Sequence, residues 1–295
     1  MTEVISQLSP ELLLAAQTEL GECPVWDGTR GCFFFMDIIE KKLHRLDWST
    51  KLLTSLKLPA LGGGLVLAKD GRLIACLQNG IHWLDPESGD LELIVDPEQD
   101  KPEQRLNEAK ADPEGRLWVG SISTLGRFPV GCLYRMNRDR SVTPVLTEIA
   151  VPNTLVWLPG GSDVLFSDSA MKVIWRFRYD GVSGSLSDRT VFVDCADYRG
   201  IPDGAAVDAE GCIWIAEFGG GVVRRYDGQG NVIARIELPA TQVTSCAFAG
   251  PSLQDLVIIT TKRLLDENQR LAQPHAGDLF VVRPGVPGVE PHRFG

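Results

Sequence analysis

Short apolar runs alternate along the chain with turns rich in Gly, Asp and Pro, and little of the sequence has the spacing of an amphipathic helix. An apolar strand, an Asp/Gly turn and an aromatic-rich strand recur as one unit. The six copies are PVWDGTRGCFFFMD, LVLAKDGRLIACL, AKADPEGRLWVGS, LVWLPGGSDVLFSD, AAVDAEGCIWIAE and CAFAGPSLQDLVIIT. Such hairpins predict an all-β protein, and we interpret the acid of the turn, Asp208 in the fifth copy, as structural.

A second strand pair follows each copy, from KKLHRLDWSTKLL after the first to GDLFVVRPGVPGVEPHRF after the last. Matching positions of the six copies lie 41 to 50 residues apart, at Trp26, Leu67, Ala111, Trp157, Val207 and Phe248. Four strands repeated at this interval are typical of a propeller, so residues 1–295 are predicted to form a single domain, a six-bladed β-propeller. A pair of β-sandwiches is the alternative. We expect the segment ELLLAAQTE to join the last blade and close the ring.

Composition narrows the class of protein. The net charge is −10, and no cluster of Lys and Arg is present, which argues against nucleic acid or an anionic membrane as a partner. The seven cysteines form no CxxC pair and several lie in strand patterns, so we expect reduced, mostly buried thiols in a cytoplasmic protein. No basic start with a long apolar run marks a secretion signal, and no apolar stretch reaches transmembrane length.

Polar residues recur four positions before the matching residues of the repeat. The six residues there are Glu22, Gly63, Asn107, Asn153, Asp203 and Thr244. Because the first strand of every propeller blade lines the central channel, these side chains are predicted to converge. Two carboxylates and two amides, without thiol or imidazole, are donors that suit a hard divalent cation, and Ca²⁺, Mg²⁺, Mn²⁺ and Zn²⁺ all stay open. The alternative is that each Asp or Asn only stabilises its own turn.

Four motifs resemble the signatures of one known family. They are LGECPVWD, RLNEAKADPEGRLWVGS, VPNTLVW and GIPDGAAVDAEGCIWIAEFGGGVVRRYD, and they occur in the family's order over essentially the whole chain. The chain is thereby similar to the gluconolactonase/regucalcin (senescence marker protein) family, whose members are six-bladed propellers that hydrolyse sugar lactones with one divalent metal ion. The resemblance implies a metal-dependent lactonase acting on a small sugar lactone such as gluconolactone.

The resemblance also implies roles for individual residues. The metal ligands would be Glu22, Asn153 and Asp203. Arg105 and Asn107 would contact the substrate, and Asp203 would also act as the catalytic base. Ser121 is a further substrate-binding candidate by its position in WVGS. Two other functions stay open at this point: a metal-dependent hydrolase of the phosphotriesterase type, and a calcium-binding propeller without catalytic activity.

Three positions depart from the family's usual pattern. Glu108 follows Asn107 where Asp is usual, and Thr154 follows Asn153 where glycine is common. Glu217 stands where relatives often have a neutral residue, and it is interpreted either as an extra acid of the pocket or as a surface residue of its strand.

Overall fold

The repeated hairpins form six mainly antiparallel sheets in the structure, a computed structural model that describes residues 6–295. In chain order the strands are β1 (Ser6–Leu8), β2 (Glu11–Leu14), β3 (Gly21–Asp27), β4 (Cys32–Asp37), β5 (Lys42–Asp47), β6 (Leu53–Lys57), β7 (Gly62–Leu67), β8 (Leu73–Leu77), β9 (Gly80–Leu84), β10 (Leu91–Val95), β11 (Gln104–Ala111), β12 (Leu117–Ser123), β13 (Gly131–Met136), β14 (Val142–Ile149), β15 (Pro152–Trp157), β16 (Asp163–Asp168), β17 (Val173–Asp180), β18 (Ser185–Asp194), β19 (Ile201–Val207), β20 (Ile213–Phe218), β21 (Val222–Tyr226), β22 (Val232–Glu237), β23 (Val243–Ala249), β24 (Asp255–Thr260) and β25 (Leu279–Val282). A 3₁₀ turn (Ser169–Met171) follows β16, and helix α1 (Glu267–Ala272) lies between β24 and β25.

The sheets are the blades of a six-bladed propeller, which confirms the predicted fold. The inner strands are β3, β7, β11, β15, β19 and β23, and each packs against the next until β23 returns to β3. Apolar side chains between neighbouring blades form the core; Phe33, Trp118 and Trp214 are fully buried in it. The first residues of all six inner strands therefore meet at one end of the ring.

The ring closes through the N-terminal segment, as predicted. Strand β2 pairs antiparallel with β25 and supplies the outer strand of the sixth blade. The second strand pair expected after the last repeat is wrong, because β25 is followed only by isolated bridges at Gly288 and Phe294. Three prolines in residues 283–295 remove the backbone donors that a further strand would need. Strand β1, which was not predicted, pairs in parallel with β22.

The aspartates of the blade turns are structural, as Asp208 was interpreted to be. Asp208 is fully buried and accepts hydrogen bonds from Cys212 N at 3.0 Å and Trp214 Nε1 at 2.9 Å. Asp112 holds Trp118 Nε1 at 2.9 Å in the same way. Each pair anchors a tryptophan of the core to its own turn.

All seven cysteines are free and six of them are buried, as the sequence pattern predicted. Among residues 6–295, no helix is long and apolar enough to cross a membrane.

A β-bulge interrupts the start of every inner strand. The shifts lie between Glu22 and Val25, Gly62 and Gly64, Leu106 and Ala109, Asn153 and Val156, Pro202 and Ala205, and Val243 and Ser245. Two residues in these bulges, Cys23 and Thr154, have positive φ angles of 59° and 49°. Because a bulge bends the strand and turns the following side chains, it is common next to active sites. Here six bulges surround the polar end of the ring.

Candidate active site

The polar residues of the repeat position lie at the bulges of their strands. Asn153 and Asp203 are each 7% exposed, whereas Glu22 and Asn107 are half-buried. Thr244 is fully buried and donates its hydroxyl to Gly21 O at 2.7 Å, so it holds the main chain just before Glu22. Four members of the set predicted from the repeat therefore carry a carboxyl or amide group at the bulges, and the fifth, Thr244, supports the backbone.

The remaining member of the set, Gly63 of the second blade, is a glycine because a side chain would not fit there. A Cβ atom there would lie 1.7 Å from Leu106 O and 2.9 Å from Asn107 N. The backbone of β7 therefore touches the backbone of β11 where a side chain stands in the other blades. This contact brings Asn107 close to the second blade.

Hydrogen bonds join Arg105, Asn107 and Asn153. Arg105 Nη1 donates to Asn107 Oδ1 at 2.8 Å and to Leu106 O at 2.9 Å. Asn107 Nδ2 donates to Pro152 O at 2.9 Å and to Asn153 Oδ1 at 3.3 Å. The structure therefore brings together three of the residues for which the resemblance implies a role.

The two acidic side chains of the group have raised pKa values. Burial and the nearby Glu108 raise the pKa of Glu22 to about 8. Burial, then Glu22 and Glu108, raise the pKa of Asp203 well above its usual range. Neither side chain forms a salt bridge within residues 6–295, although the Arg105 guanidinium acts on both. Burial and mutual repulsion thus favour the protonated form of each carboxyl group unless further positive charge is bound.

Glu108 is a third acidic side chain near Glu22 and Asp203. It is 8% exposed, and its Oε1 lies 3.1 Å from Lys110 Nζ without hydrogen-bond alignment. Burial lowers the pKa of Lys110, but attraction to Glu108 outweighs it and the net effect is a raised pKa. Lys110 remains charged and offsets one of the three acids.

The donor set fits a hard divalent cation. Glu22, Asn153 and Asp203 offer carboxylate and amide oxygen atoms as ligands, and a cation would add its positive charge to that of Arg105. No group of three or more His, Cys, Asp or Glu side chains suited to a metal ion is found in the part of the chain that the structure describes. The candidate set lies outside that definition, because it contains only two carboxylates and its third ligand is the amide of Asn153.

Ser121 is not brought to this group. Its backbone pairs with Leu106, and its side chain is fully buried. The hydroxyl lies 2.6 Å from Glu98 Oε1 and accepts a hydrogen bond from Cys132 N at 3.0 Å. With these contacts, the Ser121 hydroxyl is not accessible to a substrate in the channel.

Glu217 is neither an acid of the pocket nor a surface residue. It is 3% exposed; Oε1 accepts from Gly200 N at 2.9 Å and Oε2 from Arg224 Nε at 2.9 Å. Gly200 precedes β19, the strand that carries Asp203. Glu217 therefore holds the entry to that strand.

Ser169 belongs to the site although no repeat position marks it. Its hydroxyl accepts from Asn153 Nδ2 at 2.9 Å and donates to Pro202 O at 2.6 Å. It lies in the turn after β16, where the sequence pattern gives no signal for a channel residue.

A cavity of about 130 Å³ lies farther along the inner strands, away from the polar group. Its walls are mostly apolar and include Trp26, Trp157, Val207 and Phe248, with residues 289–292 beside them. The lining also includes Lys110, Glu290 and His292, but the carboxyl and amide side chains of the repeat position lie outside it, and the polar group is therefore the candidate active site.

Comparison with known proteins agrees with this architecture. A 6-deoxy-6-sulfogluconolactonase of Pseudomonas putida is 32% identical over 91% of this chain and 92% of its own. A pentonolactonase of Haloferax volcanii is 33% identical over 82% of this chain and 81% of its own. The crystal structure of a calcium-binding regucalcin from Agrobacterium tumefaciens superposes with a TM-score of 0.92 at 30% identity, covering 99% and 98% of the two chains. Residues 20–262 match the model of the SMP-30/gluconolactonase/LRE-like region, and the chain belongs to that family.

Proposed function

We propose that this protein hydrolyses sugar lactones to aldonic acids and needs one divalent cation to do so. The observation that carries the proposal is the pair of acidic side chains, the half-buried Glu22 and the buried Asp203, which lack a salt bridge among the described residues and lie in the same ring as the Asn153 amide oxygen. These three side chains would hold the cation. The lactonases among the relatives support the substrate class.

A bound divalent cation supplies electrophilic chemistry, since it draws electron density from the carbonyl oxygen of a lactone. Asp203 would accept a proton from the water molecule that attacks the carbonyl carbon. It would return the proton to the ring oxygen when the ring C–O bond breaks, which leaves a carboxylic acid and an alcohol. A cation held beside Asp203 would lower the pKa of its carboxyl group and so favour the ionised form that acts as a base.

Arg105 and Asn107 would orient the sugar. Burial lowers the pKa of Arg105, but the guanidinium stays a pure hydrogen-bond donor. Among the described residues, only its Nη1 forms hydrogen bonds, so its other N–H groups would be available to substrate hydroxyls. Ser121 is left out of this role because it is fully buried.

The test is a panel of pentose and hexose aldonolactones, with acid release followed by a pH indicator. The hydrolysis rate of each lactone is measured with the native protein, with chelator-treated protein, and after Ca²⁺, Mg²⁺, Mn²⁺ or Zn²⁺ is added back. We expect cation-dependent opening of the lactone ring. A phosphotriester in the same panel tests the alternative hypothesis of a phosphotriesterase.

If no lactone opens faster than in buffer with any cation, the proposed activity is wrong. Cation binding without any turnover would then favour the hypothesis of a calcium-binding propeller without catalytic activity, which the calcium-binding regucalcin structure also supports.

A further inference from the structure

A continuous series of hydrogen bonds crosses three blades at the candidate site. It runs from Arg105 Nη1 to Asn107 Oδ1 at 2.8 Å, and from Asn107 Nδ2 to Asn153 Oδ1 at 3.3 Å. It continues from Asn153 Nδ2 to Ser169 Oγ at 2.9 Å, and from Ser169 Oγ to Pro202 O at 2.6 Å. Pro202 is the residue before Asp203, so the series links both sides of the candidate cation site.

The chemistry of the two end groups determines which atom donates and which accepts in every hydrogen bond of this series. A guanidinium can only donate hydrogen bonds, so the atom of Asn107 that faces Arg105 must be the amide oxygen. The Asn107 amide nitrogen then faces Asn153, whose oxygen accepts from it. At the other end a backbone carbonyl can only accept, so the single Ser169 proton is committed to Pro202 O. The Ser169 lone pair must therefore accept from the Asn153 nitrogen.

We propose that Ser169 is a positioning residue that fixes the Asn153 side-chain amide with its oxygen toward the channel. The inference rests on the proposed cation site. With the amide reversed, its NH₂ group would face Asn107 Nδ2, which is itself a donor, and would stand where the oxygen ligand is needed. Ser169 prevents this reversal because its only proton is already engaged.

Ser169 has the burial that such a role needs. It is fully buried, so water does not replace the hydroxyl when it is removed. In Ser169→Ala, the Asn153 nitrogen loses its acceptor in the orientation that binds the cation. Loss of a group that orients a metal ligand typically weakens metal binding about 10–100-fold.

The first experiment measures Mn²⁺ binding by isothermal titration calorimetry to chelator-treated wild type, Ser169→Ala and Ser123→Ala. Ser123 is a matched control, because it is also buried and, in residues 6–295, its hydroxyl accepts only from Leu125 N and Arg127 N. We expect Ser169→Ala to bind Mn²⁺ at least about tenfold more weakly and Ser123→Ala to stay within about twofold of wild type. Circular dichroism without cation checks that both variants are folded.

A second readout separates orientation from general loosening of the site. Aspartate at position 153 has two equivalent oxygens and needs no orienting partner. In the background of Asn153→Asp, adding Ser169→Ala should therefore change the Mn²⁺ affinity by less than about threefold, so that the two effects are not additive. An equal loss in both backgrounds overturns the proposal.

The remaining outcomes also decide. If wild type binds Mn²⁺ and Ser169→Ala binds it as tightly, the positioning role is wrong and the proposed function stands. If wild type binds neither Mn²⁺ nor any other divalent cation, the proposed cation dependence fails, and the positioning role fails with it.

Discussion

Thr154 Oγ1 donates a hydrogen bond of 2.6 Å to the backbone carbonyl of Asp203, so the residue after one candidate ligand holds the main chain of another. Thr154 itself has a φ of 49°, a region that is unfavourable for a β-branched residue, and accepts a hydrogen bond from Ser167 Oγ at 3.0 Å. The hydroxyl contacts offset this strain. Glycine, which is common at this position in the resembling family, would avoid the strain but would lose the link to Asp203.

Thr154→Val keeps the branched shape and the strain but removes the hydroxyl. We expect it to lower the free energy of unfolding by about 1–3 kcal/mol, because a buried carbonyl and the Ser167 hydroxyl both lose a partner. Thr154→Gly loses the same bond and also the strain, so it should be destabilised less. Thermal unfolding followed by circular dichroism measures both, with the exposed Thr190→Val as the unchanged control. A Tm of Thr154→Gly at or below that of Thr154→Val would contradict this account.

Asp203→Asn should abolish lactone turnover at every cation concentration, since the amide cannot take a proton from water. Glu22→Gln should instead raise the cation concentration needed for half-maximal rate and recover measurable turnover at saturation. The measurement is initial rate against Mn²⁺ concentration for both variants. Asp197→Asn, an exposed residue six positions before Asp203, serves as the matched control. Near-normal turnover of Asp203→Asn refutes its role as base.

The sequence predicted the fold because the four-stranded repeat encodes it, and the same repeat supplied most of the candidate residues of the site. Glu22, Asn153 and Asp203 occupy one repeat position, and the bulge at the start of each inner strand makes that position converge. Ser169 could not be found this way, since it acts from a turn outside the repeat. The structural role of Glu217 was equally hidden, because its partner Arg224 lies on the next strand, β21.

The stability of the cation-free protein should fall as pH rises from about 4.5 to about 8, the ordinary and the folded-state pKa of Glu22. In that window the folded carboxyl holds a proton that the unfolded one has released, so raising the pH favours unfolding. The fall in Tm, measured in chelator across the range, should be smaller in Glu22→Gln.

A divalent cation should reverse this trend, because it binds the deprotonated carboxylates. Saturating Mn²⁺ is therefore expected to raise the Tm of wild type more at pH 8 than at pH 5. Parallel pH profiles of wild type and Glu22→Gln in chelator would show that the Glu22 carboxyl does not carry the effect.

Glu217→Ala should destabilise the protein by about 3–5 kcal/mol, because the Arg224 guanidinium and Gly200 N would lose a buried charged acceptor. Glu217→Gln keeps one carbonyl oxygen for Gly200 N and should cost less. Urea unfolding gives both values. Because Glu217 acts through the backbone before β19, Glu217→Gln should retain lactonase activity while folded. Loss of turnover without loss of stability would instead make Glu217 an acid of the pocket.

Gly63→Ala tests the backbone contact between the second and third blades. The added Cβ would lie 1.7 Å from Leu106 O and 2.4 Å from Leu106 C, and neither backbone atom can rotate away. The inner strand β11 must therefore shift, and we expect a loss of about 3 kcal/mol or more in the free energy of unfolding. Gly228→Ala is the matched control, because no atom lies within 4 Å of its added Cβ. Urea unfolding compares the two, and equal stabilities would show that β7 and β11 are not in the close contact that places Asn107 beside the channel.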